Sequence, residues 1–170
     1  MRDGSVVVQQ SDADGKYRDR RITLTQPGTT DLLIPTDGGQ TAASPDGRFI
    51  SFVSERSGAP EVYVRPIDVK AAPDKISAGG GTAAAWSKTK QELLYLREPE
   101  IVAVPYTLDN GGRIRFGAER VWSRVTGDYA AGRLITAKDG RVLVAVDRAQ
   151  TRKEIRVIVN WARELAGKVK

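Results

Sequence analysis

Short β-forming runs separated by tight turns make up most of the chain, and residues 41–68 show this pattern most clearly. Residues 49–53 form a mainly apolar run, and residues 61–65 alternate polar and apolar side chains as a half-buried strand does. The polar stretch between them contains Gly58 and Pro60, which favour a change of chain direction. The pattern therefore predicts consecutive antiparallel strands.

The tightest predicted turn is Ser44-Pro45-Asp46-Gly47. Pro45 presets the backbone of the second position of a type I turn, and Asp46 suits the third position. Gly47 can take the left-handed conformation that closes a hairpin with a bulge. This turn therefore predicts the connection between the first two strands of a repeating unit.

Similar turns recur along the chain at nearly constant spacing. Gly4, Gly47 and Lys90 are 43 residues apart, and Gly140 follows 50 residues later. Each position precedes a β-forming run, and a strand that begins with glutamate follows three of them. A period of 40 to 50 residues with about four strands per unit is typical of a β-propeller blade.

The sequence therefore predicts an all-β fold of about three and a half four-stranded antiparallel blades in an incomplete ring, followed by a short helix. In the third unit, a longer arm near residues 114–122 absorbs the extra length. Asn160 is the expected N-cap of the helix. The predicted units are 1–39, 40–81, 82–129 and 130–160, with the helix at 161–167.

The repeat from Ser44 to Phe52, followed by residues 57–64, resembles the TolB-type, WD-like propeller repeat. The end of the chain, residues 155–165, resembles the last strand and short helix of propellers fused to bacterial membrane-anchored serine/threonine kinases. The residues expected to define the repeat and its ending are Ser44, Pro45, Asp46, Gly47, Trp86, Asp139, Gly140 and Trp161. This resemblance implies a fold but not a ligand, since one fold serves many functions.

Composition narrows the possible functions. Of the 170 residues, 40% are hydrophobic and 28% are charged, as in a folded domain, and no apolar run is long enough to insert in a membrane. Cysteine is absent, which excludes disulfides and thiolate metal sites. Residues 148–170 carry seven basic and two acidic residues, or +5 of the net charge of +6. We interpret them as the solvated flanks of a terminal helix, with an acidic partner or anionic lipid as the alternative, and expect no nucleic-acid binding.

Catalytic motifs are scarce. Histidine is absent, which removes the commonest general base and the middle member of a Ser-His-Asp triad. The sequence contains no nucleophile elbow and no kinase nucleotide or catalytic loop. Residues 79–81 are glycines without the Lys-Ser/Thr of a phosphate loop. We therefore expect no enzymatic activity and no cofactor.

Three groups of residues are candidate binding sites. Asp12, Asp14 and Asp19 flank a glycine turn and form a weak calcium candidate, with an ordinary hairpin turn as the alternative. Trp86 and Trp122 either line a ligand face or pack between blades. A third group consists of arginines at strand ends, which form either a ring of donors or a solvated rim. Its members are Arg48, Arg56, Arg65 and Arg97.

The expected function is that of a non-catalytic sensor or binding scaffold for an unidentified protein or small molecule. The resemblance implies the extracytoplasmic domain of a receptor-like kinase, on the periplasmic or extracellular side. The alternatives are a TolB-like periplasmic protein-interaction scaffold and the propeller portion of a peptidase without its catalytic domain. We also expect the chain to be part of a larger propeller, or to self-associate through unpaired blades.

Overall fold

The computed structural model describes residues 5–11, 17–23, 30–35, 40–67, 71–125, 130–147 and 154–158, with side chains described at 40–67, 71–125 and 133–145. The described residues form fifteen strands in four antiparallel sheets. The first sheet contains β1 (Ser5–Ser11), β2 (Tyr17–Thr23) and β3 (Thr30–Pro35). The second contains β4 (Thr41–Ala43), β5 (Phe49–Ser54), β6 (Glu61–Pro66) and β7 (Asp74–Lys75).

The third sheet contains β8 (Ala83–Trp86), β9 (Glu92–Arg97), β10 (Glu100–Leu108), β11 (Ile114–Phe116) and β12 (Arg120–Arg124). The fourth contains β13 (Ala130–Thr136), β14 (Val142–Asp147) and β15 (Glu154–Ile158). The all-β prediction is confirmed, and strands lie where the sequence pattern predicted them. The predicted helix at 161–167, with Trp161, lies outside the described residues. In the part of the chain that the structure describes, no helix is long and apolar enough to cross a bilayer.

Two sheets depart from a regular four-stranded blade. In the second sheet the last strand is short, since β7 ends at Lys75, where the Val62 amide donates to the Ser77 hydroxyl instead of to a main-chain oxygen. The third sheet also has five strands rather than four. The first part of β10 pairs with β12, whereas its end pairs with β11, as Tyr106 opposite Phe116 shows. Residues 106–116 thus form a projecting hairpin, which we call the hairpin arm.

Tight turns join the first two strands of the second, third and fourth sheets at one common end. In the first of these turns, the Gly47 amide donates to Ser44 O at 2.9 Å, and Gly47 has φ 75°. Gly140 has φ 87°, and a Cβ placed on it would lie 3.5 Å from the hydroxyl oxygen of Thr89 in the neighbouring turn. The turns of adjacent sheets are therefore neighbours, and we call this side of the molecule the turn end.

The sheets pack face to face through apolar side chains, as propeller blades do. One cluster lies between the second and third sheets and includes Trp86, which is only 1% exposed. A second cluster, which includes Leu134, lies between the third and fourth sheets. Hydrogen bonds join the innermost strands: Trp86 Nε1 donates to Ala42 O at 3.1 Å, and Thr136 Oγ1 donates to Trp86 O at 2.5 Å.

A longer connection links the second sheet to the fourth. Gln40 donates from Nε2 to Leu134 O at 2.7 Å and accepts from the Leu134 amide at 2.9 Å. Among the described strands, no pairing joins the first sheet to the fourth. Pairing among the described strands occurs only within each sheet, and the sheets form no closed barrel.

Candidate functional site

A cavity of about 620 Å³ lies at the turn end, between the second sheet and the hairpin arm. Arg48 lines it directly after the first turn, and Arg65 and Pro66 line it at the end of β6. Asp74 of β7 contributes a carboxylate, and Arg113 and Ile114 line the side formed by the arm. This volume is in the range of small-molecule and side-chain binding pockets.

The first turn holds Arg48 in place. Its Nε donates to Asp46 Oδ2 at 2.8 Å, and its backbone amide donates to Asp46 Oδ1 at 3.2 Å. The Ser44 hydroxyl also donates to Asp46 and in turn accepts from the Phe49 amide. Burial favours the neutral form of Asp46, but these hydrogen bonds outweigh it and lower the pKa of that carboxyl. The turn thus presents a fixed guanidinium to the cavity.

Arg65 is half-buried, on the same face of the sheet as Ile50, its partner across the strands. Burial and the nearby positive charge of Arg56 lower the pKa of Arg65. The side chain of Arg65 therefore lies on the Arg56 side of the second sheet, opposite to the face on which Phe49 packs toward the hairpin arm.

The tip of the hairpin arm closes the cavity from the other side. Asp109 Oδ1 accepts from the backbone amides of Gly111 and Arg113, at 3.0 and 2.9 Å, which shapes the tip. Gly112 has φ 76°, and a Cβ placed on it would lie 2.9 Å from Nη1 of Arg48. A side chain at this position would shift the flexible end of Arg48, and the positive φ favours glycine there.

An aromatic cluster holds the arm against the core. The rings of Trp86 and Tyr106 meet edge to face with centroids 5.3 Å apart, and Phe116 lies 6.5 Å from Trp86 and 6.1 Å from Tyr106. Burial raises the pKa of the Tyr106 hydroxyl, with a further contribution from the charge of Asp46. The arm is thus packed into the interface between the second and third sheets, which favours a preformed site.

A second cavity, of about 420 Å³, adjoins the first and shares Asp74 and Ile114 with it. Its other lining is mainly apolar and includes Ile76, Val104 and Phe116. Together the two cavities form a groove between β7 and the arm, with arginines at one end and apolar side chains at the other.

Glu119 lies at the apolar end and is held by its neighbours. It accepts from Tyr95 Oη at 2.5 Å and from Arg97 Nη1 at 2.7 Å, and Arg97 also donates to Ala78 O at 3.0 Å. The hydrogen bonds from Tyr95 and Arg97 lower the pKa of Glu119, and burial raises the pKa of Tyr95. This end of the groove therefore carries an ionised, already paired carboxylate.

The structure divides the four arginines that sequence analysis grouped. Arg48 and Arg65 both border the cavity, but only Arg48 approaches the hairpin arm, whereas Arg65 shares a face of the sheet with Ile50. Arg56 lies over the stacked rings of Phe52 and Tyr63, at 5.3 and 4.9 Å. Arg97 belongs to the carboxylate network of Glu119. Sequence analysis missed Arg113, although the pair of glycines before it marks a hairpin tip.

The remaining candidates do not line the groove or fall outside the description. Two residues of the predicted calcium site, Asp12 and Asp14, lie outside the described residues, and of Asp19 only the backbone is described, on β2. Among the described side chains, no three metal-ligating groups cluster. Trp86 is buried between sheets, and Trp122 is partly buried against the cluster between the third and fourth sheets.

Asp139 and Gly140 form a turn like that of Asp46 and Gly47. Arg141 donates from Nε to Asp139 Oδ2 at 2.7 Å, and its amide donates to Asp139 Oδ1 at 3.1 Å. The amide of Arg141 lowers the pKa of Asp139. The same Asp-Gly-Arg local geometry thus recurs; the first copy lies beside Gly112 of the hairpin arm, and the second lies beside Thr89.

No protein-family model and no curated protein matches the chain. Solved structures do match. TolB from Acinetobacter baumannii aligns with a TM-score of 0.61 and 15% identity over 91% of this chain and 38% of its own. A protein assigned as TolB from Agrobacterium tumefaciens aligns with a TM-score of 0.60 and 16% identity over 91% of this chain and 56% of its own.

A gluconolactonase from Xanthomonas campestris aligns with a TM-score of 0.51 and 17% identity, covering 81% of this chain and 54% of its own. The chain therefore spans less than two thirds of the length of each of these proteins. At such low sequence identity, the similarity shows a shared fold and nothing finer. Together with the four antiparallel sheets, these comparisons show that the chain has a β-propeller fold like that of TolB proteins.

Proposed function

We propose that this chain is a non-catalytic β-propeller segment that binds a protein partner at its turn end. The observation that carries this proposal is the arginine-lined cavity between the second sheet and the hairpin arm. Arginine recognises carboxylate or phosphate by paired hydrogen bonds and is enriched at the centres of protein interfaces. The TolB-like neighbours support a scaffold role of this kind.

The chemistry of the cavity favours binding over catalysis. Among the lining residues that the structure describes, Asp74 is the one carboxylate, and general acid–base catalysis by carboxyl groups usually requires a second titratable partner. Histidine is absent from the whole sequence. The gluconolactonase neighbour makes lactone hydrolysis the enzymatic alternative to be tested.

Two settings suit such a scaffold. A TolB-like periplasmic interaction protein agrees with the fold of the neighbours. The extracytoplasmic sensor of a receptor-like serine/threonine kinase rests on the sequence of residues 155–165 alone. The peptidase alternative rests on the repeat resemblance and has no further support. We favour the periplasmic scaffold, because it has support from both sequence and fold.

Two measurements on the full chain test the proposal. The rate of glucono-1,5-lactone hydrolysis, measured as acid release in a pH-stat, should not exceed the uncatalysed rate. The immobilised chain should also retain a protein from an extract of its source cells, and a triple variant should lose it. That variant replaces Arg48, Arg65 and Arg113 with glutamine.

A control triple variant keeps the same net charge and should retain the partner. It replaces three exposed arginines outside the cavity with glutamine, namely Arg115, Arg124 and Arg141. Equal capture by both variants would show that charge, rather than the cavity, attracts the protein. Lactone turnover that survives repurification would replace the scaffold proposal with an enzyme.

A further inference from the structure

We infer that Asn110, at the tip of the hairpin arm, is a site of spontaneous covalent modification, at which a carboxylate replaces the side-chain amide. Three features of the tip support this inference: the Asn110-Gly111 dipeptide, its exposure to water and the hydrogen bonds that surround it. The reaction requires only water and does not depend on partner binding.

The reaction begins with an attack of the backbone on the side chain. The amide nitrogen of Gly111 forms a bond to Cγ of Asn110, and the side-chain nitrogen leaves as ammonia with the proton of the Gly111 amide. Because both groups belong to adjacent residues, the attack is intramolecular and therefore favoured. One water molecule then opens the resulting five-membered imide. Breaking the new bond gives aspartate, whereas breaking the original peptide bond gives isoaspartate, in which the main chain runs through Cγ.

Glycine is the following residue that best permits this attack. It has no Cβ to hinder the approach of its nitrogen, and its backbone has the widest conformational freedom. The sequence contains one Asn-Gly pair, at Asn110 and Gly111. The other asparagine, Asn160, precedes Trp161, whose bulky side chain hinders the same attack. The dipeptide therefore makes Asn110 the more reactive of the two asparagines.

The structure leaves the Asn110 side chain free to react. Asn110 and Gly111 are both exposed, in the turn between β10 and β11. Among the described residues, no hydrogen bond or ion pair involves the Asn110 side chain, since the contacts of the tip are made by its neighbour Asp109. The side chain can therefore rotate toward the Gly111 nitrogen.

Two Asp-Gly turns provide an internal contrast. Aspartate can form the same imide, but the carboxylates of both turns are restrained. Asp46 accepts from Ser44 and Arg48, and Asp139 accepts from Arg141. Among the turns whose side chains are described, the arm tip thus combines a following glycine with an unrestrained side chain.

Asp109 restrains the reaction at the tip. Its Oδ1 accepts from the Gly111 amide at 3.0 Å and from the Arg113 amide at 2.9 Å. The attacking nitrogen must lose the proton that this hydrogen bond holds, and a nearby carboxylate disfavours the negative charge that results. The attack therefore requires a transient opening of the tip. The rate of modification should rise when Asp109 is removed.

The modification would change the tip beside Arg48. A Cβ placed on Gly112 would lie 2.9 Å from Nη1 of Arg48, so the tip and this guanidinium are neighbours. Either product adds a negative charge there. Isoaspartate also lengthens the main chain inside the turn that the Gly112 amide closes by donating to Asp109 O at 2.8 Å. We therefore expect the isoaspartate form to weaken the packing of the arm.

Mass spectrometry of the full chain tests the inference. After incubation in mildly alkaline buffer and digestion with trypsin, the peptide that carries Asn110 should gain the mass difference between an amide and an acid. Ammonia should appear in equal amount, and an isoaspartate-specific methyltransferase should label part of the product. The peptide that carries Asn160 should remain unchanged over the same time.

Three variants test the roles of the tip residues. Gly111→Ala adds a Cβ that would lie 3.4 Å from Asp109 Oδ1, which is an ordinary contact, so the tip should persist while most of Asn110 stays intact. Asp109→Ala should accelerate the conversion about tenfold, as expected for the loss of a hydrogen bond to a charged acceptor. Asn110→Gln should give no product, because its ring closure is less favourable. Circular dichroism establishes that each variant is folded, and Asp109→Ser replaces Asp109→Ala if that variant unfolds.

Three results would overturn the inference. The first is an Asn110 that stays intact in the folded parent and in Asp109→Ala over the time in which the urea-unfolded chain is converted. The second is conversion of Gly111→Ala at the rate of the parent. The third is conversion of Asp109→Ala no faster than that of the parent.

Discussion

Substitution of Ser77 by alanine should destabilise the chain more than any exposed serine substitution. Ser77 is 2% exposed and lies just after β7. Its hydroxyl accepts from the amide of Val62 at 2.8 Å and donates to Oε2 of Glu61, whose side chain is also buried. The change therefore removes one partner from a buried amide and another from a buried carboxylate.

The expected cost follows from these two losses. A buried amide without a partner costs about 1–3 kcal/mol, and a hydrogen bond to a charged group contributes about 1.5–3 kcal/mol. Glu61 keeps the Gly80 amide at 3.2 Å and Lys75 Nζ at 3.4 Å, which limits the second loss. We therefore expect Ser77→Ala to lower the free energy of unfolding by about 3 kcal/mol, a large share of a typical domain's stability.

Urea denaturation followed by tryptophan fluorescence and circular dichroism measures this cost, and agreement between the two probes tests for a two-state transition. The control is Ser57→Ala, because Ser57 is exposed and its hydroxyl accepts one hydrogen bond, from the Tyr63 hydroxyl at 3.0 Å. This change should cost less than about 1 kcal/mol. A double-mutant cycle with Glu61→Gln should show coupling. Equal, small costs for Ser77→Ala and Ser57→Ala would refute the reasoning.

Three further predictions concern other parts of the fold. Trp86→Phe removes an indole donor from an inter-sheet hydrogen bond and should lower the free energy of unfolding by about 1–3 kcal/mol in urea denaturation; an unchanged midpoint would contradict it. The hydrogen bond from Tyr95, and then the one from Arg97, lower the pKa of Glu119. The ionised carboxylate therefore stabilises the folded chain at neutral pH, and this contribution is lost as pH falls through the lowered pKa. Glu119→Gln should therefore reduce the fall of the melting temperature below about pH 5, and an identical pH profile would argue against it. Gly140→Ala should cost about 1–2 kcal/mol, since φ is 87° but the added methyl has room, whereas Gly111→Ala, without a positive φ, should cost less.

Local sequence determined the strands and turns of this protein. Each local feature depends on a few neighbouring residues. Examples are the turn from Ser44 to Gly47, with Gly47 in the left-handed conformation, and the alternating run at residues 61–65. Backbone sterics and side-chain alternation act over that same short range, so they can be read directly. The repeat spacing extended this information to the fold, because each unit carries the same local pattern.

The two cavities beside the hairpin arm could not be predicted in the same way. Arg48 and Arg65 are sequence neighbours of recognisable turns and strands, yet Arg113 reaches their cavity only because the hairpin arm packs across the second sheet. Likewise, the side chain of Gln40, just before the second sheet, forms two hydrogen bonds with the backbone of Leu134 in the fourth sheet.

Such contacts depend on how far β10 extends and on how the sheets pack. The positions of the sheets relative to one another are set by the packing of many side chains rather than by any one motif. The sequence by itself determined which strands and turns form. The tertiary structure alone decided which arginines share a cavity, because face-to-face packing of separate sheets brings together side chains that no local pattern connects.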